Sequence, residues 1–302
     1  MRIEAAVVQA LVEQASRLQL VATAPADCHR IDVGVELQAN RDRLAQGIDA
    51  HLQPWFVLLD EGIQFFVQFE RYLYEAPLSS NLTGFAVTVS KLKRDVISIR
   101  DLLAIGQDMT ARVLARTFIE DIEIAMALAL SSETCEAFAS TNDTNEFWNK
   151  HIGYGKVYEK VRQYLLACGI DEGRANLFVD RHREAKKMFS ESTHGGRQSS
   201  LMSAFAPSLT DKDEVHFLSL GALTHATAQL SLFIAQEAHA FAGSIVKGTM
   251  VAEPLHLFRN FSATGRYMNA AGSAYVLQEL LLRYEAELEN RLTGFVGMDA
   301  AP

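Results

Sequence analysis

Apolar positions along this chain recur mainly at helical spacing. Over residues 2–20, Ala5, Val8, Leu11, Ala15 and Leu18 fall near one face, with Glu4, Glu13 and Arg17 elsewhere. A turn-rich stretch follows, and a second helical pattern runs from about Leu37 to Tyr74. Pro54 should break or kink it, because proline lacks the N–H and its ring clashes with the preceding turn. The segment APLSSNLTG (76–84) reads as a linker. Residues 85–130 predict one or two long helices, with the glycine of AIGQDM marking a kink or turn and Asp108 an N-cap.

The stretch 108–130 is apolar almost all round. Leu114, Phe118, Ile122, Ala125 and Ala129 form one stripe, and Val113, Ile119, Ile124, Met126, Leu128 and Leu130 fill much of the rest. Such a helix belongs at the centre of a bundle. STNDTN (140–145) predicts a turn, with helices at about 146–168 and 172–194. GGRQSS and APSLTDKDE bound a loop region, and two last helices span about 210–247 and 263–293. FAVTVS (85–90) comes nearest to strand alternation but leads straight into a helical pattern. The fold class is therefore all-α: a helical bundle over 81–293, an N-terminal helical extension over 1–80 and a tail over 294–302.

Composition refines this picture. Only six prolines in 302 residues agree with a helical chain. The net charge of −9 argues against a general binder of nucleic acid or anionic membrane, although a small basic site stays open. KLKRDVISIR (91–100) and RHREAKK (181–187) are local basic runs of the kind found on solvated helix faces. Cys28, Cys135 and Cys168 are odd in number, far apart and without CxxC spacing, as expected of reduced thiols in a cytoplasmic protein. The N-terminus lacks the uninterrupted apolar run of a signal peptide. Residues 215–236 carry no carboxylate, lysine or arginine and would be long enough to span a bilayer, but their His, Gln, Ser and Thr content favours a core helix.

Two constellations could carry chemistry. Arg112, Arg116, Glu120 and Glu123 form one polar stripe on the central helix. It is either an exposed ion-pair ladder, worth ~0.3–0.5 kcal/mol per pair, or the lining of a cavity. On the helix 172–194, Ser190 and His194 are i,i+4 neighbours, with His182 at the edge of the less polar face. Gly195 suits a helix stop, and a histidine in the last turn meets the negative end of the helix dipole. A Ser–His pair alone does not make a nucleophile, because nothing visible orients the imidazole. Glu191 and His194 have the i,i+3 spacing of di-iron bundles, but the second such pair is missing, so no metal is expected. Walker A, GxGxxG, GxSxG and HExxH motifs are absent, and no cofactor is expected.

The segments DLLAIGQDMTARVLARTFIEDIEIAMAL (101–128), FWNKHIGYGKVYEKVRQYL and FSESTHGG resemble a family of uncharacterised bacterial helical proteins near the HEPN superfamily, over roughly residues 85–245. The family's Arg–Thr/Ser–Leu/Phe–x–Glu helix matches Arg116, Thr117, Phe118 and Glu120. Its Ser-x-x-x-His-Gly ending matches Ser190, His194 and Gly195. The resemblance implies a HEPN-like bundle core, a role in bacterial stress or phage defence, and a homodimer. Active HEPN ribonucleases carry Arg-x4–6-His, and here the matching positions are Phe189, Met188 and Lys187, none of them arginine. Two functions stay open. One is a non-catalytic protein that binds a protein partner or a small ligand, with Arg112, Glu123 and Ser190 as binding residues. The other is a divergent HEPN-type ribonuclease, with His194 as general acid/base, Arg116 stabilising phosphate charge and Glu120 completing the cluster.

Overall fold

A computed structural model of the chain describes residues 33–75, 80–193, 225–261 and 265–298. Among these residues every regular element is helical and there is no strand, so the chain is an all-α bundle. The elements are α1 (Val33–Gly47), α2 (Gln53–Glu75), α3 (Ser80–Ala104), α4 (Asp108–Leu130), α5 (Ser132–Ser140), α6 (Thr144–Phe147), α7 (Lys156–Ala167), α8 (Glu172–Thr193), α9 (His225–Met250) and α10 (Gly265–Met298). The chain divides into two compact units, residues 1–40 and 41–302. The helix α2, which the sequence pattern groups with an extension to residue 80, packs inside the second unit against α3, α9 and α10.

Helix α4 is central, as its all-round apolar character requires: α3, α5, α7, α8 and α9 all lie against it. Phe118 and Ile122 are fully buried. Phe66 of α2 joins three helices, meeting Phe118 of α4 edge-on and stacking on Phe241 of α9, each at 6.0 Å between ring centroids. Rings packed this way add ~0.5–1.5 kcal/mol per pair beyond the area they bury.

Local sequence rules explain the joints. Pro54 does not end the second helical pattern. The path widens into one π turn at Ile48–Leu52, immediately before Pro54 in α2, where a proline lacks the N–H and its ring would clash with a regular preceding turn. The expected turn before α4 forms at Gly106, whose φ of 72° suits glycine. Asp108 is not the N-cap. Gln107 holds that position without a side-chain bond, and the Asp108 carboxylate accepts from Thr227 Oγ1 at 2.9 Å, tying the start of α4 to α9. The single helix expected over 146–168 is also interrupted. A π turn at Trp148–Ile152 and a glycine-flanked turn at 153–155 separate α6 from α7, because Tyr154 and Gly155 both take positive φ. FAVTVS lies wholly within α3.

Among the described residues no helix is long and apolar enough to cross a membrane. The described part of the acid-free run, 225–236, opens α9, and Ala228, Leu230, Ile234 and Ala235 pack in the core. Cys135 and Cys168 are buried, while Cys28 lies outside the described residues.

Candidate functional site

The polar stripe of α4 forms as its spacing predicts, and α8 lies against it. Arg116 Nε donates to Glu120 Oε1 at 3.3 Å, and its Nη1 donates to Ser190 Oγ of α8 at 2.8 Å. Arg116 and Glu120 are 30% and 29% exposed, so water still reaches the pair and it adds little stability. One turn earlier, Arg112 is partly buried. Its Nε is shielded from solvent and has no hydrogen-bond partner among the described residues. Burial pulls Arg112 below the usual arginine range, against the attraction of Asp108 one turn away. An arginine nevertheless stays protonated. Arg112 thus has a buried donor without an acceptor, and Arg116 one turn on is a cation that a single carboxylate offsets.

Glu123, the last member of the stripe, faces a different environment. It is buried at 2% exposure and accepts from His182 Nδ1 at 3.1 Å and from Lys186 Nζ at 2.7 Å, both on α8. The other ring nitrogen of His182 meets Glu237 Oε2 of α9 at 2.8 Å. Arg181 Nε approaches Glu237 Oε1 at 2.9 Å as an ion pair whose angle falls outside hydrogen-bond geometry. His182 thus sits between carboxylates from two other helices, itself 1% exposed, with the Phe178 ring 4.1 Å away. A neutral imidazole donates from only one nitrogen, so two ionised carboxylates require the doubly protonated ring. Burial opposes that charge, but Glu237 and Glu123 outweigh it and raise the His182 pKa. Burial likewise opposes ionisation of Glu237, and His182 with Arg181 overcomes it and lowers the Glu237 pKa. Tyr158 of α7 closes the cluster's edge, with Arg183 and Lys186 over its ring at 4.5 and 4.4 Å.

Of the residues the sequence singles out, Arg116, Glu120 and Ser190 come together and Arg112 lies one turn away on the same helix. Glu123 is buried and fully engaged by His182 and Lys186. His194 and Gly195 lie outside the described residues. His182, Lys186, Arg181 and Glu237 are not legible as a site in sequence. The signals were a histidine at the border of an apolar face and a single carboxylate, Glu237, ending a run of 22 residues without one. Among the described residues no group of three or more His, Cys, Asp or Glu could hold a metal ion. In the buried cluster both His182 nitrogens are already taken by carboxylates.

Fold and site together define an all-α bundle with a buried Glu–His–Glu core cluster and an arginine-bearing seam between α4 and α8. Comparison of the chain with protein-family models, curated proteins and solved structures returns no match.

Proposed function

We propose that the protein is a helical binding protein whose seam between α4 and α8 receives a small anionic ligand, a phosphate or carboxylate, on Arg112, Arg116 and Ser190. The observation that carries this reading is Arg112, whose Nε is shielded from solvent and has no acceptor. Leaving a buried donor unmade costs ~1–3 kcal/mol, and an oxyanion supplies the missing acceptors. A guanidinium fits carboxylate and phosphate in bidentate fashion. Arg116 then adds a second cation and Ser190 a hydroxyl.

Thermal melts with inorganic phosphate, pyrophosphate and mononucleotides test it. A ligand at a hundred times its Kd should stabilise the wild type by ~2.7 kcal/mol, and Arg112→Met should abolish the response. The ligand-free variant should melt no lower than wild type, because the unmatched donor is gone and the aliphatic stem remains. An Arg112→Met protein that responds to the same anions as wild type refutes the reading.

The Arg116–Ser190 contact favours a second reading, the divergent HEPN-type ribonuclease, because it joins the two helices that carry the family-like motifs. A phosphodiester would then be the anion and His194 the general acid/base. RNA degradation lost in both Arg116→Ala and His194→Ala would support it, and an inert wild type would remove it.

A further inference from the structure

The turn between α6 and α7 carries features that neither the bundle nor the seam explains. Among the described residues Tyr154 is the one non-glycine residue with positive φ, at 57°. Its side chain is 88% exposed, more than any other large hydrophobic side chain described. Among the described residues it has no hydrogen-bond or ring partner. The turn thus holds an aromatic residue in a backbone conformation that favours glycine, and gains no packing from it. Beside it, Gly153 N–H donates to Trp148 O at 2.7 Å. A Cβ on Gly153 would stand 3.0 Å from the Trp148 indole nitrogen, so the indole packs directly on the backbone preceding Tyr154. Trp148 is itself 40% exposed.

Three lysines gather at the same turn on a chain whose net charge is −9. Lys156 Nζ donates to Asn149 O at 2.7 Å and Lys150 O at 3.4 Å, which anchors it over the π turn. Lys160 Nζ lies 3.4 Å from His151 Nδ1 and donates to Thr134 Oγ1 at 3.0 Å. Lys150 projects exposed from the π turn. Burial first, and then Lys160, Lys150 and Lys156, hold His151 below its usual pKa against Glu133.

We infer that this turn is a binding site for single-stranded nucleic acid, with Trp148 and Tyr154 as stacking faces and Lys150, Lys156 and Lys160 meeting phosphates. Single strands are held by this combination of exposed rings on which bases stack and cations that track the backbone. An acidic peptide would use the lysines but would give no reason for an exposed tyrosine at positive φ beside an indole.

The test uses the full chain and a twelve-residue oligothymidylate. The protein has two tryptophans, and Trp55 is fully buried, so quenching on titration reports Trp148. The oligonucleotide should quench this emission, and the affinity should fall steeply with salt. Tyr154→Gly should weaken binding roughly tenfold or more, the size of one stacked base. It should melt no lower than wild type, because glycine suits the turn. Lys150→Gln should lower the salt slope. Absence of quenching at low salt, unchanged affinity in Tyr154→Gly, a lower melting temperature for that variant, or equal binding of polyglutamate would each overturn the proposal.

Discussion

Replacing His182 by leucine should cost far more than the loss of one packed ring. The substitution leaves Glu123 and Glu237 as carboxylates at 2% and 1% exposure, each with one remaining cation, Lys186 or Arg181. Removing one partner of a buried ion cluster costs ~3–5 kcal/mol, because the stranded charge has lost both water and its counter-ion. Urea unfolding followed by circular dichroism at 222 nm measures the difference. The pH dependence carries the signature. His182 has a raised folded pKa, so its stabilisation is fully present below the unfolded value of 6.5 and is lost as pH rises through the folded value. Glu237 has a lowered folded pKa, so its stabilisation is present above 4.5 and lost as pH falls through the folded value. The cluster is therefore strongest between those limits. The cost of His182→Leu should be largest near pH 6 and shrink by up to ~1.4 kcal/mol per pH unit as pH rises from 6.5 to the folded pKa. Changing Glu123, His182 and Glu237 together to leucine should cost less than His182→Leu alone, since no buried carboxylate is stranded. A single-variant cost under ~1 kcal/mol at pH 6, with the wild-type pH slope retained, would refute the charged, clamped ring.

Two further perturbations test the packing and charge assignments. Burial pushes Asp121 up to about 7, against Lys91 and with help from Asp95, so its contribution is fully present below the unfolded value of 3.8 and is lost as pH rises through 7. Asp121→Asn should flatten the stability profile by up to ~1.4 kcal/mol per pH unit between pH 5 and 7 and leave intact the part of the slope that His182→Leu removes, as melts across that range will show. Gly248→Ala should destabilise α9, because the added Cβ would meet Phe258 Cε2 at 2.6 Å and Cys168 Sγ at 2.8 Å. Gly272→Ala on α10 meets nothing within 4 Å and should raise stability by ~0.5–1 kcal/mol, so the two alanines should move the melting temperature in opposite directions.

What the sequence revealed was periodicity, and what it concealed was pairing. The all-round apolar pattern of 108–130 placed α4 at the centre, and the helix expected from 172 begins as α8 at Glu172. The i,i+4 spacing of Arg116 and Glu120 gave their ion pair directly. The GYG turn was missed because glycines inside a helical pattern do not fix φ, and the flanking apolar period survives the interruption. The buried cluster was hidden for a different reason. His182 lies 59 residues from Glu123 and 55 from Glu237, and helical phase assigns a residue to a face without saying which helix that face meets. Glu123 consequently read as one more member of the polar stripe on α4.

The two charged sites on α4 are parts of one geometry. Glu123 meets His182, and Arg116 meets Ser190, so sequence falls along α4 as it rises along α8 and the helices run antiparallel. At 1.5 Å per residue these contacts lie ~10.5 Å apart on α4 and ~12 Å apart on α8, which agree to within one residue's rise. A single register of α8 on α4 therefore satisfies both. Stability alone gives little reason to bury three ionisable groups, because well-packed apolar replacements of such clusters are often as stable. The ions do something apolar side chains do poorly. A slide of α8 by one residue would part His182 from two carboxylates at once, whereas leucines would accept it. The buried cluster thus fixes the position at which Ser190 faces Arg116.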